Sequence, residues 1–120
     1  MNARLPGLTS LLIFLASAAN ADEASSVAEI AQNVGCLACH GVDKRSNDDQ
    51  VGPPFRAVAE RYRGDATARQ KLMKSISTGS KGDWGAMTRG VPMPPYSGRL
   101  TKDEIARLTD WILALKPPAQ

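Results

Sequence analysis

The sequence predicts a single small all-α domain, and three observations support this fold class. Apolar residues recur at helical spacing in several segments, and the last segment follows a clear capping sequence. Clusters of glycine and proline separate these segments. No series of alternating, strand-like residues occurs between them. A chain of 120 residues is the size of one domain, so we expect one folded unit.

The first 21 residues have the pattern of a signal peptide. Met1 to Arg4 is a short positively charged region, Leu8 to Ala18 is apolar, and Ala19-Asn20-Ala21 fits a cleavage site. The apolar run is too short to span a bilayer comfortably. We therefore expect cleavage after Ala21, an exported protein and a mature domain over residues 22–120. An uncleaved membrane anchor is the alternative.

Two helices are predicted in the first half of the mature chain. The first runs from about Val27 to Val34, with a capping box at Ser26-Val27-Ala28-Glu29, and ends at Gly35. The second is short and runs from about Phe55 to Tyr62. The intervening segment from Lys44 to Gln50 is polar and has no apolar period, so it is predicted to be a surface loop.

Two further helices are predicted in the second half. Asp65 is placed to cap a helix from about Ala66 to Ser77. The segment from Gly79 to Gly98 is rich in glycine and proline, and a loop this long in a small domain is usually functional. A capping box at Thr101-Lys102-Asp103-Glu104 then begins the clearest helix. Its apolar stripe is Ile105, Leu108, Trp111, Ile112 and Leu115, and Pro117-Pro118 is predicted to stop it.

The pentapeptide Cys36-Leu37-Ala38-Cys39-His40 contains both cysteines and the only histidine of the chain. This spacing is typical of a c-type haem attachment site. The two thiols can each form a thioether with a haem vinyl group, and the next residue places an imidazole beneath the iron.

Three other interpretations of the motif are less well supported. A thioredoxin-like redox pair belongs to a fold of alternating strands and helices, which this sequence does not predict. A structural zinc site normally has four Cys or His ligands, and this chain has three such residues. A simple disulfide in an exported protein leaves the adjacent histidine without a role.

The segment Val91-Pro92-Met93-Pro94-Pro95 offers a second axial ligand. A thioether opposite His40 stabilises reduced iron and raises its potential, and the flanking prolines restrict the backbone around Met93. Met73 belongs to a helix stripe, where methionine is commonly core filler. Met87 lies in the same loop without flanking prolines. Met93 is therefore the predicted ligand, with Met87 or an open or otherwise ligated iron as alternatives.

Together these segments resemble the small class I cytochromes c of bacteria, and most closely the cytochrome c-551/c-552 group of periplasmic electron carriers. The similarity covers the mature chain. The segments that carry it are Cys36-x-x-Cys39-His40, Val51-Gly52-Pro53, Thr78 to Gly85 with Trp84, Pro92-Met93-Pro94-Pro95 and the helix ending Asp110-Trp111-Ile112-Leu113.

The resemblance implies four to five helices around one covalently bound haem c. Cys36 and Cys39 would form the thioethers, and His40 and Met93 would be the axial iron ligands. The Pro53 carbonyl would accept a hydrogen bond from His40, and the Trp84 indole would donate one to a haem propionate.

The implied function is periplasmic electron transfer by a soluble monomer, not catalysis. The implied partners are redox proteins: a donor such as a bc-type complex and an acceptor such as a terminal oxidase, nitrite reductase or peroxidase. Nucleic-acid binding is not expected, because the basic residues are scattered and aromatic residues are few. Stable membrane insertion is not expected once the signal peptide has been cleaved. The alternatives are a haem subunit of a larger dehydrogenase or oxidase, and an enzyme or gas sensor with Met93 dissociated.

Two positions depart from the family pattern. Ser75 stands where the family commonly has an arginine near a propionate, and Lys74 is the candidate substitute. Tyr96 stands where an asparagine usually hydrogen-bonds the methionine sulfur.

Overall fold

The computed structural model describes residues 16–44, 47 and 50–117. Its elements are α1 (Ala16–Asn33), α2 (Cys36–Cys39), α3 (Phe55–Arg61), α4 (Ala68–Thr78), a 3₁₀ turn (Gly85–Thr88) and α5 (Lys102–Leu113). These residues form no β-strand, and a single antiparallel bridge joins Ser80 to Met93. The predicted all-α class is confirmed. No helix in this part of the chain is long and apolar enough to cross a membrane.

Helix α5 is the element against which α1, α3 and α4 all pack. Its predicted capping box is present: the Thr101 hydroxyl accepts from the Glu104 N–H at 3.2 Å, and the Glu104 carboxylate accepts from the Thr101 N–H at 2.8 Å. The Thr101 N–H and the Thr101 hydroxyl both donate to the Glu104 carboxylate and lower its pKa. The capping box thereby satisfies two backbone donors at the helix start. Helix α5 ends at Leu113, before the predicted stop, and Pro118 lies outside the described residues.

Two hydrophobic clusters meet on α5. One joins α1, α4 and α5, and the other joins α3, α4 and α5. The half-buried side chains of Cys36 and Trp111 contact both clusters. The buried members of the first cluster are Val27, Ala31, Ile76, Tyr96, Leu100, Ile105 and Leu108; those of the second are Phe55, Val58, Leu72 and Ile112.

Helix α1 begins well before its predicted start near Val27. The Ser26 hydroxyl does not cap a helix but donates to the Glu23 carbonyl one turn earlier, at 2.9 Å. The alanine-rich sequence before Ser26 favours helix even though it has no apolar period, and this is why the prediction missed it. The predicted stop is correct, because Gly35 adopts a positive φ of 87° that most side chains avoid. Residues 1–15, most of the predicted signal peptide, lie outside the described residues.

Two other sequence predictions require correction. Helix α4 begins at Ala68 instead of Ala66, because the Asp65 carboxylate accepts from the N–H and hydroxyl of Thr67 and so forms a turn ahead of the helix. Gln50, predicted to lie in a surface loop, is 5% exposed because its amide bonds a backbone carbonyl in α2. The short helix α3 agrees with its predicted bounds to within one residue.

Asp65 should contribute to stability in a pH-dependent way. Hydrogen bonds from Lys71 and Thr67 lower its pKa from 3.8 to about 2. Because the folded-state pKa is the lower one, its contribution is present above about pH 4 and is lost as the pH falls toward 2. We expect Asp65→Ala to lower the Tm at pH 6, with the difference shrinking as the pH falls from 4 to 2. Thermal unfolding across this range measures it, and a difference as large at pH 2 as at pH 6 would contradict the assignment.

Candidate haem-binding site

The pentapeptide of the motif forms a single helical turn. Gly35 precedes α2 in the left-handed conformation, and the His40 N–H donates to the Cys36 carbonyl at 2.9 Å. His40 itself is extended, with φ −115° and ψ 128°, so the helix ends there. The Cys36 and Cys39 thiols are both free, and burial raises the pKa of the Cys36 thiol. The turn therefore presents two thiols and an imidazole to one side.

The His40 ring is held by a hydrogen bond and by ring stacking. Its Nδ1 lies 2.7 Å from the Pro53 carbonyl oxygen. A carbonyl only accepts, so Nδ1 carries the hydrogen and Nε2 keeps its lone pair. Burial lowers the pKa of His40, and the bond to Pro53 opposes that shift. The ring is thus a neutral imidazole whose Nε2 is available to a metal ion.

An aromatic column extends from this ring to α5. The His40 ring stacks on Phe55 with centroids 4.9 Å apart and an interplanar angle of 16°. Phe55 in turn meets Trp111 edge to face, at 5.7 Å and 77°. Both geometries are favourable for aromatic pairs. The imidazole is therefore braced by the helix that organises the core.

Gly52 lets the backbone approach the imidazole closely. A Cβ at this position would lie 2.6 Å from the Cε1 and Nδ1 atoms of His40 and 2.8 Å from the Cys39 carbonyl oxygen. The Gly52 N–H donates to that same carbonyl at 2.8 Å. The structure shows that any larger residue at Gly52 would displace the His40 ring or the Cys39 carbonyl.

All six residues predicted for the site line one apolar cleft. They are Cys36, Cys39, His40, Pro53, Trp84 and Met93. The walls come from α2 to α5 and the loop after α4, and the space between them, including the open mouth, is about 1060 Å³. An apolar lining with a few convergent polar groups is the character of a site for an apolar cofactor. The cleft, its two free thiols and the available imidazole nitrogen fit a covalently attached haem.

Met93 is placed in this cleft by the backbone of its loop. Ser80 and Met93 exchange two backbone hydrogen bonds, at 2.9 and 3.1 Å. Gly79 permits this approach, because a Cβ there would lie 2.5 Å from the Met93 carbonyl oxygen. The loop also forms a 3₁₀ turn, where the sequence predicted irregular structure.

The other methionines of the described residues do not line the cleft. Met87 is 37% exposed, and Met73 packs against the core cluster that joins α1, α4 and α5.

The far side of the cleft is formed around Trp84. This half-buried indole lies under the Arg61 guanidinium, 4.4 Å from ring centroid to Cζ. Arg61 also donates to the Asp83 carbonyl at 2.6 Å. The sequence gave no sign of this role, because nothing distinguishes Arg61 from Arg56, the other basic residue of this short helix. The contact ties the end of α3 to the loop that carries Met93.

The two departures from the family pattern also lie near the cleft. Ser75 and Tyr96 line its wall, whereas Lys74 is exposed and borders an adjoining shallow cleft. The Tyr96 N–H donates to the Ile76 carbonyl at 2.9 Å. Burial raises the pKa of Tyr96, and Cys36 and Cys39 raise it further. Tyr96 anchors the loop through its backbone and buried ring, while its hydroxyl makes no hydrogen bond to the Met93 sulfur.

Comparison with known proteins agrees with this geometry. The family model of cytochrome c matches residues 24–116. This chain belongs to the cytochrome c family. It is 40% identical over 87 residues to cytochrome c2 of Rhodocyclus tenuis, covering 72% of this chain and 89% of that protein. It is 40% identical over 86 residues to cytochrome c-551 of Allochromatium vinosum, covering 72% and 82%.

A solved structure shows the same architecture. The crystal structure of wild-type cytochrome c552 from Nitrosomonas europaea has a TM-score of 0.62 and 35% identity, and the match covers 74% of this chain and 99% of that one. The predicted relation to the c-551/c-552 group is confirmed. As a cytochrome c, the protein carries one covalently attached haem c and transfers electrons without being an enzyme.

Substitution of Gly52 should displace the His40 ring and destabilise the protein. We expect Gly52→Ala to force the His40 ring or its neighbouring backbone to move, and to lower the free energy of unfolding by about 1–3 kcal/mol. Denaturant unfolding measures this, together with the NMR signal of the Nδ1 proton. Gly98→Ala is the matched control, because a Cβ there meets nothing within 4 Å. Equal stabilities of the two variants would show that the close contact is unimportant.

Proposed function

We propose that the protein is an exported, monohaem electron carrier of the periplasm with His/Met axial ligation. The observation that carries this proposal is that His40 and Met93 line the same cleft as both cysteines. In the proposal Cys36 and Cys39 bind the haem covalently, while Pro53 orients the imidazole through Nδ1 and Trp84 is available to a propionate. The haem supplies the one-electron couple.

Axial ligation by two side chains explains the choice of a carrier over a haem enzyme or gas sensor. If His40 and Met93 both bound the iron, no substrate would have access to the metal, and the haem could only exchange electrons. The Met93 thioether would favour the reduced state and raise the potential, and the neutral, oriented His40 imidazole would supply the second ligand. The chain's own contribution is therefore to fix the ligands and to exclude water.

Periplasmic location and cleavage after Ala21 complete the proposal. The predicted cut lies within α1 and precedes the contacts that join this helix to α5. Glu23 forms an ion pair with Arg107 at 3.5 Å, and the Ser26 hydroxyl accepts from the same guanidinium at 2.9 Å. Val27 and Ala31 belong to the core. Removal of residues 1–21 therefore retains each of these contacts.

The ligand assignment is tested by replacing each methionine in turn. We expect Met93→Ala to abolish the long-wavelength absorption of a methionine-ligated ferric haem and to lower the reduction potential sharply. Met87→Ala and Met73→Ala are the controls and should retain both properties, because neither side chain lines the cleft. Visible spectra and a redox titration of the purified proteins decide the matter. Loss of the band in Met87→Ala instead would transfer the role to Met87.

The mouth of the cleft offers a surface for redox partners. Val91, which is 46% exposed, and Pro94 line the cleft and reach the surface, and Leu37 and Ala38 belong to the attachment turn. Exposed cations at Lys44, Lys81 and Arg89 belong to the loops that flank these residues. We propose that the apolar surface docks an acidic redox protein, since small interfaces with complementary charge suit brief encounters.

Docking should be sensitive to a negative charge at this surface. We expect Leu37→Glu and Val91→Glu to slow electron transfer to the physiological partner, because the new carboxylate would be desolvated and would face an acidic surface. Spectrum and potential should stay nearly unchanged in Val91→Glu, because Val91 is exposed, whereas Leu37 packs partly against the cluster that joins α3, α4 and α5. Gln70→Glu on the exposed side of α4 adds the same charge and should react at the wild-type rate. Stopped-flow kinetics at two salt concentrations measure the effect. Wild-type rates for both surface variants would place the docking site elsewhere.

A further inference from the structure

Three hydrogen bonds join the segment from Gln50 to Pro53 to the attachment turn. The Gln50 side-chain amide donates to the Leu37 carbonyl at 2.8 Å. The Gly52 N–H donates to the Cys39 carbonyl at 2.8 Å, and the Pro53 carbonyl accepts from His40 Nδ1 at 2.7 Å. The bond between His40 and Pro53 has been described above as the contact that orients the imidazole. The bond from Gln50 involves a polar side chain that has no role in the proposed function.

The Leu37 carbonyl needs a donor from outside its own helix. In a longer helix it would accept the N–H of the residue four positions later. Helix α2 ends after one turn because His40 is extended, and only the Cys36 carbonyl receives an intrahelical bond, from the His40 N–H. The bond between Gln50 and Leu37 is partly buried, and a carbonyl that is shielded from water without a donor is costly. The Gln50 amide supplies that donor.

Gln50 is itself held in place. Its side chain is 5% exposed, and its backbone N–H donates to the side-chain oxygen of Asn47 at 3.1 Å. A buried amide loses the hydrogen bonds that water would give it, so the bond to Leu37 is favoured over a solvated alternative. The amide is thus a fixed donor directed at the peptide between the two cysteines of the motif.

We propose that Gln50 is a positioning residue for the haem-bearing turn, acting through the Leu37 carbonyl. This inference rests on the proposed function. The amide compensates the negative end of the Leu37 peptide dipole and fixes the orientation of the peptide between Leu37 and Ala38. Without the donor, the uncompensated carbonyl oxygen favours the more positively charged oxidised iron. Loss of Gln50 therefore lowers the reduction potential and loosens the turn.

Gln50→Met tests this role, because methionine keeps the length of the side chain and removes the donor. In the purified holoprotein we expect amide hydrogen exchange at His40 and Gly52 to accelerate at least tenfold. The equilibrium constant for reduction should fall at least threefold. Exchange at Leu108 in α5 reports global opening and should change little. Gln70→Met is the matched control at an exposed glutamine and should leave all these quantities at wild-type values.

Gln50→Glu provides a second, isosteric variant. A protonated carboxyl donates a hydrogen bond, whereas a carboxylate only accepts. We expect near wild-type exchange and potential at low pH. Once the introduced carboxyl ionises, exchange should accelerate as in Gln50→Met, and the potential should fall below that of Gln50→Met because the carboxylate also adds a negative charge. The wild-type protein is measured over the same pH range, so that any titration it shows is subtracted. A response that does not depend on pH in this variant would contradict the donor role.

The outcomes separate this inference from the proposed function. Mass spectrometry of the wild-type protein showing no covalent haem would overturn the proposed function. Wild-type protein that holds haem, together with Gln50→Met matching it in both exchange and potential, would overturn only the role of Gln50.

Discussion

The hydrogen bond from His40 Nδ1 to the Pro53 carbonyl is the contact on which the geometry of the cleft depends. It settles which nitrogen carries the hydrogen and which nitrogen faces the cleft. It also requires the backbone at Gly52 to pass within contact distance of the ring, a path that only glycine permits. The His40 imidazole therefore fixes the position of α2 relative to the segment Gly52-Pro53.

The rest of the fold supports that contact from two directions. Helix α5 anchors the aromatic column behind the ring, and it also receives α1 and α4, which close the core. The loop after α4 returns to the cleft because Ser80 and Met93 pair through their backbones. Placement of the two proposed axial ligands thus depends on different elements: a one-turn helix for His40 and a glycine-dependent bridge for Met93.

The sequence predicted those features whose determinants are local. The capping box at Thr101 and the apolar stripe behind it define α5 because both signals lie within a few turns. The cysteine motif likewise specifies its chemistry within five residues. The start of α1 could not be predicted in the same way, because an alanine-rich segment favours helix without any apolar period. The Asp65 side chain can either cap a helix directly or form a turn ahead of it, and the helix propensity of the following residues does not decide between the two.

Contacts between distant polar residues were the least predictable part of the site. Gln50 lies in a polar stretch, and nothing in its neighbourhood indicates a bond to a carbonyl thirteen positions earlier. Arg61 is one of two arginines near the end of α3, and its position over Trp84 depends on how the later loop folds. Both roles arise only when the tertiary structure brings a donor to an acceptor or an aromatic face. Sequence periodicity carries no information about such pairs.

The column of His40, Phe55 and Trp111 connects the proposed iron ligand to the packing of the core. Because the rings are in direct contact, the orientation of the imidazole depends on where α5 holds the Trp111 ring. Residues that pack Trp111 in place therefore also determine the geometry of the ligand, although they lie two rings away from it.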